Sequence, residues 1–346
     1  MIKFLFFFLL HFIANKFFLK INFLIDKKKA SEHKKKIITD TRTPLSGGFI
    51  FIFFFSFVLI EQNYVFLLAI ILLYAVGLMS DLNLLTSPIK RIILQSCLIL
   101  SFIIINDLSI KTLSLEILDE LLNYKFFNIF FLLVCLLVLV NGFNFLDGIN
   151  TLVITNFIIC LFSIYYISNK FQLYLDFILV QNLLIILSVI FIFNFFGKSF
   201  LGDSGTYSIS FVVGIVCINF VYNNYLIVSP YFIACLLWYP AIENLFSILR
   251  RFFFKKKLSK ADNNHLHHFL YLVIRKNNFI KNNLFLNTFT GIIINSYIFL
   301  SAFAATFYYT YTQTLLTIIL FNVIIYLSLY YYLYRVLGLK KKNLGL

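Results

Sequence analysis

Four short groups of polar residues contain side chains that could do chemistry, and three of them lie between apolar runs. Asp81 lies in GLMSDLNLLTSP, Asp147 in NGFNFLDGIN and Asp203 in FLGDSG. The fourth group is HLHH, which supplies three histidines, His265, His267 and His268. Carboxylates at the ends of apolar runs are costly to place in a membrane, so they are functional candidates.

Three carboxylates, an asparagine and nearby cations predict a site for a metal and phosphates. Mg²⁺ prefers oxygen ligands and usually combines one or two carboxylates with substrate phosphates. Glycines beside Asp147 and Asp203 would let a phosphate approach the main chain, and a helix starting at Gly205 would present free N–H groups to an anion. Zinc is the alternative for HLHH, but that motif has no partner at the usual spacing and no cysteine nearby.

The elements that position these residues follow from composition. The chain has 346 residues, of which 61% are hydrophobic and 46 are phenylalanine. A soluble domain cannot bury that much apolar surface, so we expect an all-α polytopic membrane protein. A hydrocarbon core about 30 Å thick needs roughly 20 apolar residues per helix. The apolar runs predict about eleven transmembrane helices, near 3–25, 45–60, 64–79, 91–106, 125–141, 149–167, 177–196, 205–222, 225–249, 288–309 and 314–337.

The N-terminal MIKFLFFFLL is similar to a signal peptide. The apolar run resumes after His11 and Lys16, however, and we find no convincing cleavage site. We therefore interpret it as a retained first span. No soluble domain is visible, so we expect a single transmembrane catalytic domain over residues 1–346.

Charge orients the bundle. Most of the 29 basic residues fall on one face, which holds the C-terminal tail and the loops at about 26–44, 80–90, 142–148, 197–204 and 250–287. The positive-inside rule makes these loops and the C-terminus cytosolic and the N-terminus external. Basic loops facing anionic lipid also account for most of the +15 net charge, and no motif supports a nucleic-acid partner. All four polar groups then lie on the cytosolic face.

Five segments in order carry a resemblance to a known family: TPLSGG (43–48), GLMSDLNLLTSPIKRIILQ (77–95), NGFNFLDGIN (141–150), NFFGKSFLGDSG (194–205) and ENLFSILRRFFFKKKLSKADNNHLHH (243–268). From about Asp26 to His268 the chain resembles the bacterial polyprenyl-phosphate N-acetylhexosamine-1-phosphate transferases, which are eleven-helix membrane enzymes. Related enzymes of peptidoglycan synthesis transfer phospho-MurNAc-pentapeptide to the same lipid. The H-x-H-H form and the lack of peptide-binding insertions favour the N-acetylhexosamine branch.

The resemblance implies an activity and its partners. It implies a magnesium-dependent transfer, with Mn²⁺ able to substitute, from a UDP-N-acetylhexosamine to undecaprenyl or another polyprenyl phosphate. UMP is released, and the product starts a lipid-linked cell-surface glycan such as lipopolysaccharide. The implied location is the cytosolic face of the bacterial cytoplasmic membrane. Whether the chain forms a homodimer stays open.

The resemblance also implies residue roles. Asp203 is similar to the main magnesium ligand, and Asn144 to a second contributor. The residues with catalytic roles are Asp81, Asp147, His265, His267 and His268. The residues with substrate-binding roles are Asn150, Asn194, Arg42, Arg250 and Arg251. Lys34 is a weaker candidate for phosphate contact.

One departure is Ser80, because the family commonly has two acids where this chain has Ser80-Asp81. A serine cannot be a carboxylate base. Either Asp81 takes that role, or no protein base is needed because a phosphate monoester is largely ionised near pH 7. An inactive homologue is a further reading of Ser80.

A transporter or lipid flippase is the competing class of function. Its coupling acids should lie near mid-bilayer on facing halves of an inverted repeat. Here the acids lie at the ends of spans on one face, and no inverted repeat is visible, which favours an enzyme.

Overall fold

The computed structural model of the protein describes residues 2–25, 42–59, 63–253, 264–277 and 280–338. Within these ranges the chain forms fourteen helices and no strand, with one isolated bridge between Ile25 and Pro44. The helices are α1 Ile2–Ile21, α2 Gly47–Leu59, α3 Tyr64–Asp81, α4 Pro88–Ile105, α5 Glu116–Leu122, α6 Lys125–Leu146, α7 Leu152–Phe171, α8 Phe177–Phe195, α9 Gly202–Asn223, α10 Pro230–Leu236, α11 Trp238–Phe253, α12 Leu266–Lys276, α13 Asn283–Phe307 and α14 Thr312–Val336. The predicted all-α class is confirmed.

The helices account for the predicted spans. In the described part of the chain, nine helices are long and apolar enough to cross a membrane. The pair α10 and α11 passes the same test together, and α2 adds a shorter apolar helix over Gly47–Val58. These eleven stretches correspond to the eleven predicted from apolar runs. The protein is therefore a multi-pass membrane protein.

The predicted span 225–249 is not a single straight helix. It is broken between α10 and α11, which meet at an angle of 76°. Pro240 lies just after the break. Proline has no N–H to donate, so it cannot complete the hydrogen bonding of a helix that continues through Leu237. The polar residues Glu243, Asn244 and Ser247 of α11 are buried.

Helix α9 is the centre of the bundle, because nearly every residue from Gly202 to Phe220 on it is buried. Two neighbours approach its first turn closely. A Cβ at Gly77 of α3 would lie 2.4 Å from Ser204 Cα, and one at Gly48 of α2 would lie 2.6 Å from Gly205 N. Such glycines let helix backbones meet directly, which is how helices associate where lipid offers no hydrophobic gain.

Several helix ends differ from the sequence-based boundaries. Helix α3 continues through Asp81, α6 continues through Asn144 to Leu146, and α9 already begins at Gly202. The polar residues at these ends are therefore in helical turns and not in loops. Two short helices, α5 and α12, were not predicted, because neither has an apolar run long enough to stand out.

Candidate active site

Asp203 lies in the first turn of α9, and donors from three other helices hold its carboxylate. Oδ2 accepts hydrogen bonds from Ser80 Oγ at 2.6 Å and from Arg91 Nη1 at 2.7 Å. Oδ1 accepts one from Asn144 Nδ2 at 2.8 Å. The side chain is still 27% exposed. Its orientation is thus fixed while one side remains open to a ligand.

Asp81 caps the start of α9. Its Oδ1 accepts the N–H of Asp203 at 2.9 Å, and its Oδ2 accepts the N–H of Ser204 at 3.0 Å and the Ser204 hydroxyl at 2.7 Å. A carboxylate here satisfies otherwise orphaned N–H groups and is favoured by the helix dipole. Asp81 therefore joins the end of α3 to the beginning of α9.

Asp147 follows α6 and reaches the same turn, where its Oδ2 accepts the N–H of Gly202 at 3.1 Å. Gly202 has φ +72, and a Cβ there would lie 2.7 Å from Asp81 Oδ2, so glycine is required on both counts. The three aspartates thus converge on one helix start. The expectation that the N–H groups at this start are free for a substrate anion is wrong, since the chain's own carboxylates accept those of residues 202–204.

Glu243 of α11 organises the histidine motif. Its Oε2 lies 2.9 Å from Nδ1 of His265, and its Oε1 accepts the N–H of Leu266 at 3.0 Å. The Tyr239 hydroxyl donates to the same Oε1 at 3.3 Å. The carboxylate is buried, so these donors replace its lost hydration. Glu243 therefore fixes where the motif begins.

The three histidine rings form a compact group. The rings of His267 and His268 are 4.4 Å apart, and those of His265 and His267 are 5.3 Å apart. His267 is fully buried, and within the described residues neither of its ring nitrogens has a hydrogen-bond partner, with Nδ1 3.6 Å from Glu243 Oε1. Burial lowers the pKa of His267 against the opposing effect of Glu243. Burial thus favours the neutral form of the His267 imidazole.

The end of α6 connects the histidines with the aspartates. The Phe145 ring lies 5.4 Å from the His265 ring, and a Cβ at Gly148 would lie 3.3 Å from His268 Nε2. The same stretch, residues 144–148, hydrogen-bonds to the first turn of α9. The structure therefore brings all the predicted catalytic residues and the predicted metal ligands to one end of the bundle.

Asn150 and Asn194 are buried next to this region and brace it. The N–H of Asn150 donates to Asn287 Oδ1 at 2.6 Å, and its Nδ2 donates to Thr288 Oγ1 at 3.3 Å. Oδ1 of Asn194 accepts the N–H of Thr151 at 2.6 Å. These hydrogen bonds tie the turn after α6 to α13 and α8. The predicted contact of Asn150 and Asn194 with the nucleotide stays a prediction.

The three predicted arginines differ in their surroundings. Arg42 is exposed, beside a Thr43 hydroxyl that donates to the Gly197 carbonyl at 3.1 Å. Arg250 is buried, where its guanidinium donates to the Asn264 carbonyl and to the Tyr330 hydroxyl. Arg251 is half-buried in the last turn of α11, and Lys34 lies outside the described residues. Arg250 therefore anchors the segment that leads into the histidine motif.

Comparison with known protein families indicates the class of protein. The family model for glycosyl transferase family 4 matches residues 63–221. This segment belongs to glycosyl transferase family 4. The resemblance to polyprenyl-phosphate sugar-1-phosphate transferases is thereby confirmed. No curated protein matches the chain.

The match to glycosyl transferase family 4 implies a transferase, and the family implies a nucleotide sugar and a polyprenyl phosphate as substrates. The match therefore favours an enzyme over the transporter alternative. The match contains all three converging aspartates and Asn144 but ends before the histidine motif. The end of α6 connects these two parts of the site.

The side-chain oxygens of Asp203 and Asn144 fit a magnesium ion that takes most of its ligands from substrate. Among the described residues, no three histidine, cysteine, aspartate or glutamate side chains converge as a metal site. Mg²⁺ bound to phosphates needs only one or two protein carboxylates, with waters completing the octahedron. The partly exposed Asp203 carboxylate meets that need, and Asn144 lies beside it. Zinc, which prefers nitrogen and sulfur ligands in closed sites, fits this set poorly.

Sequence reasoning missed three contributors to the site. Arg91 is one of the 29 basic residues, and an arginine at the start of an apolar helix is itself a signal. Glu243 is the only acid in the apolar run 225–249, which is the same kind of signal. Asn287 could not have been found, since only folding brings it to Asn150 across more than a hundred residues.

Proposed function

We propose that this protein transfers an N-acetylhexosamine-1-phosphate from a UDP-sugar to undecaprenyl phosphate, with Mg²⁺ as cofactor. The observation that carries the proposal is the convergence of Asp81, Asp147 and Asp203 on one helix start, beside Arg91 and the histidine motif. The site lies where apolar helices end. A lipid phosphate can reach such a place along the bilayer, while a nucleotide sugar reaches it from water.

In the proposed reaction an oxygen of the lipid phosphate forms a bond to the β-phosphorus of the UDP-sugar. The bond from that phosphorus to the bridging oxygen breaks, and UMP leaves with the electron pair. The products are polyprenyl-diphosphate-sugar and UMP, so the number of phosphates is conserved. Such transfers depend on positioning and on stabilisation of negative charge.

The residues divide this work. When bound, Mg²⁺ would be held by Asp203 with Asn144 and would neutralise charge on the diphosphate. The histidine motif offers ring N–H groups to phosphate oxygens. Asp81 and Asp147 keep the first turn of α9 in place, so that the Asp203 carboxylate stays at the open side of the site.

The geometry favours a mechanism without a protein base. Both oxygens of Asp81 already accept hydrogen bonds from α9, and the Ser80 hydroxyl donates a hydrogen bond to Asp203. The attacking phosphate is largely ionised near pH 7 and needs no group to remove a proton. This accounts for Ser80 without making the protein an inactive homologue.

Basic residues at one end of the bundle indicate which side of the membrane the proposed site faces. Lys90, Arg91 and Lys198 lie at the same end of the bundle as Asp203. Under the positive-inside rule this end faces the cytosol, where UDP-sugars are made. A cytosolic active site in a bacterial cytoplasmic membrane is therefore part of the proposal.

The test uses the full chain in membranes with undecaprenyl phosphate, Mg²⁺ and a panel of radiolabelled UDP-sugars. The panel contains several UDP-N-acetylhexosamines and UDP-MurNAc-pentapeptide. We expect lipid-linked sugar phosphate and one UMP per transfer with at least one UDP-N-acetylhexosamine. Product only with UDP-MurNAc-pentapeptide would assign the chain to peptidoglycan synthesis, and no product with any sugar would overturn the proposal.

Two matched variants make the test specific to the site. Asp203→Asn removes the proposed metal-binding charge, so transfer should fall at least about 1000-fold, which corresponds to several kcal/mol of lost charge stabilisation. Asp107→Asn makes the same chemical change in an exposed ion pair with Lys125 at the other end of the bundle. It should keep wild-type activity. Equal activity of both variants would refute the metal assignment.

A further inference from the structure

Arg91 is the counter-ion of Asp203. Its Nη1 lies 2.7 Å from Asp203 Oδ2, and no other cation contacts that carboxylate in the described part of the chain. The same Nη1 lies 2.8 Å from Ser80 Oγ and 3.5 Å from the Tyr207 hydroxyl. Arg91 lies in the first turn of α4, whereas Asp203 lies in the first turn of α9. The ion pair therefore joins two helices across the site.

The hydrogen bonds leave little room for a second cation on the same oxygen. A carboxylate offers about four lone-pair positions. At Asp203, Oδ2 already serves Arg91 and Ser80, while Oδ1 serves Asn144. Mg²⁺ needs an oxygen at about 2.0–2.1 Å, where a guanidinium on the same carboxylate would repel it. Direct metal binding to Oδ2 therefore requires Arg91 to leave. A metal on the remaining position of Oδ1 would still share the carboxylate with the guanidinium, and the repulsion between the two cations favours release of Arg91 there as well.

A released Arg91 stays at the site. Its side chain is 23% exposed and extends from the first turn of α4, where Pro88 fixes the helix start. An arginine presents five donors in a fork that matches phosphate oxygens. After leaving Asp203, Arg91 would need a new counter-ion. The diphosphate of a nucleotide sugar supplies the negative charge.

We propose that Arg91 is an exchangeable counter-ion: it holds Asp203 in place before binding, and moves to substrate phosphate when a divalent cation takes Asp203. This inference rests on the proposed function, because it takes Asp203 as the metal ligand. The exchange couples binding of the divalent cation to binding of the nucleotide sugar. Each should bind more tightly in the presence of the other, and by the same factor.

The first experiment measures Mn²⁺ binding to the purified full chain by electron paramagnetic resonance of free Mn²⁺, without turnover. Arg91→Gln should bind Mn²⁺ about tenfold more tightly than wild type when no substrate is present, within the usual range of coupling between sites. The control Lys90→Gln removes one charge from the adjacent exposed residue and should change the affinity less than twofold. With UDP-N-acetylglucosamine added, Mn²⁺ affinity should rise in wild type and much less in Arg91→Gln.

Asp203→Asn separates the two proposals. If this variant binds Mn²⁺ as wild type does, the metal assignment fails and the exchange fails with it. If it loses Mn²⁺ but Arg91→Gln binds no more tightly than wild type, the exchange alone is overturned.

A second measurement needs no variant and therefore does not depend on the folding of Arg91→Gln. Phenylglyoxal modification of Arg91 in the wild-type chain is followed by mass spectrometry. Mn²⁺ alone should speed the modification several-fold by freeing the guanidinium, and UDP-N-acetylglucosamine added with Mn²⁺ should slow it again. A rate that Mn²⁺ leaves unchanged would overturn the exchange.

Discussion

Oδ2 of Asp81 accepts two hydrogen bonds from Ser204, one from its N–H at 3.0 Å and one from its hydroxyl at 2.7 Å. The two residues are 123 positions apart. The contact makes the end of α3 the N-terminal cap of α9. A carboxylate that the sequence marks for catalysis thus has a structural task, and the placement of Asp203 depends on it.

Asp81→Asn should be more damaging than Ser80→Ala. The amide cannot reproduce a carboxylate that accepts three hydrogen bonds from α9, and bonds to charged groups contribute about 1.5–3 kcal/mol each. Ser80→Ala removes a single donor to Asp203. Thermal unfolding in detergent and transfer activity should both follow this order, and the reverse order would refute the capping role.

Glu243→Gln should impair catalysis by misplacing the histidines. Glutamine can accept from Leu266 with its carbonyl, but its NH₂ then meets His265. We expect transfer to fall about 10–100-fold, the range seen when partners that orient a functional histidine are lost. The free energy of unfolding should be about 1–3 kcal/mol lower than that of wild type.

The control for that variant is Glu116→Gln on α5, which makes the same change at an exposed position. Mn²⁺ binding should stay at the wild-type level in both variants, because neither touches Asp203. Full activity of Glu243→Gln, or lost Mn²⁺ binding, would argue against a positioning role.

Gly77→Ala should prevent proper folding, whereas Gly148→Ala should fold. The added methyl at Gly77 would lie 2.4 Å from the backbone of α9, and a rigid backbone cannot move away without separating the helices. At Gly148 the methyl would meet only His268 Nε2 at 3.3 Å. Size-exclusion profiles and unfolding temperatures test the first expectation.

Gly148→Ala provides a second readout. If His268 acts in the reaction, its displacement should lower transfer while the unfolding temperature stays near that of wild type. A Gly77→Ala protein as stable as wild type would contradict the close approach of α3 to α9.

Tyr330→Phe should weaken the segment before the histidines. The Tyr330 hydroxyl accepts from Arg250 and donates to the Asn264 carbonyl at 3.0 Å, so its loss removes two hydrogen bonds, one of them to a charged group. We expect a loss of about 1–3 kcal/mol in stability and a parallel loss of activity. The control Tyr332→Phe changes a tyrosine that is 62% exposed and should be silent.

Arg250→Ala decides between anchoring and substrate contact. As an anchor it should lower the unfolding temperature at least as much as Tyr330→Phe. A raised KM for the UDP-sugar with an unchanged unfolding temperature would instead support the substrate contact predicted from sequence.

Much of the fold could be predicted because a bilayer admits few solutions. Apolar runs of span length must become helices whose backbone is satisfied internally, so the sequence alone was enough for the all-α class and the number of spans. The break before Pro240 was harder to place, because the run 225–249 is apolar throughout and the angle depends on neighbouring helices.

The site could be predicted only as a set of residue types. Charge asymmetry placed Asp81, Asp147 and Asp203 on one face, and the motifs indicated their chemistry. Periodicity says nothing about which oxygen accepts which N–H, so it could not separate the capping Asp81 from the open Asp203. The ion pair of Arg91 with Asp203 likewise joins residues 112 positions apart.

By itself the sequence determined that the chain spans a membrane and which acids and histidines lie at its polar end, because these depend on local composition. Only the tertiary structure decided that Asp81 and Asp147 serve the helix start, that Arg91 and Ser80 hold Asp203, and that Glu243 holds His265. The pairings of Asp81, Asp147 and Ser80 with the first turn of α9 depend on the close approach of α3 and α6 to α9, and glycines far apart in the sequence make that approach possible.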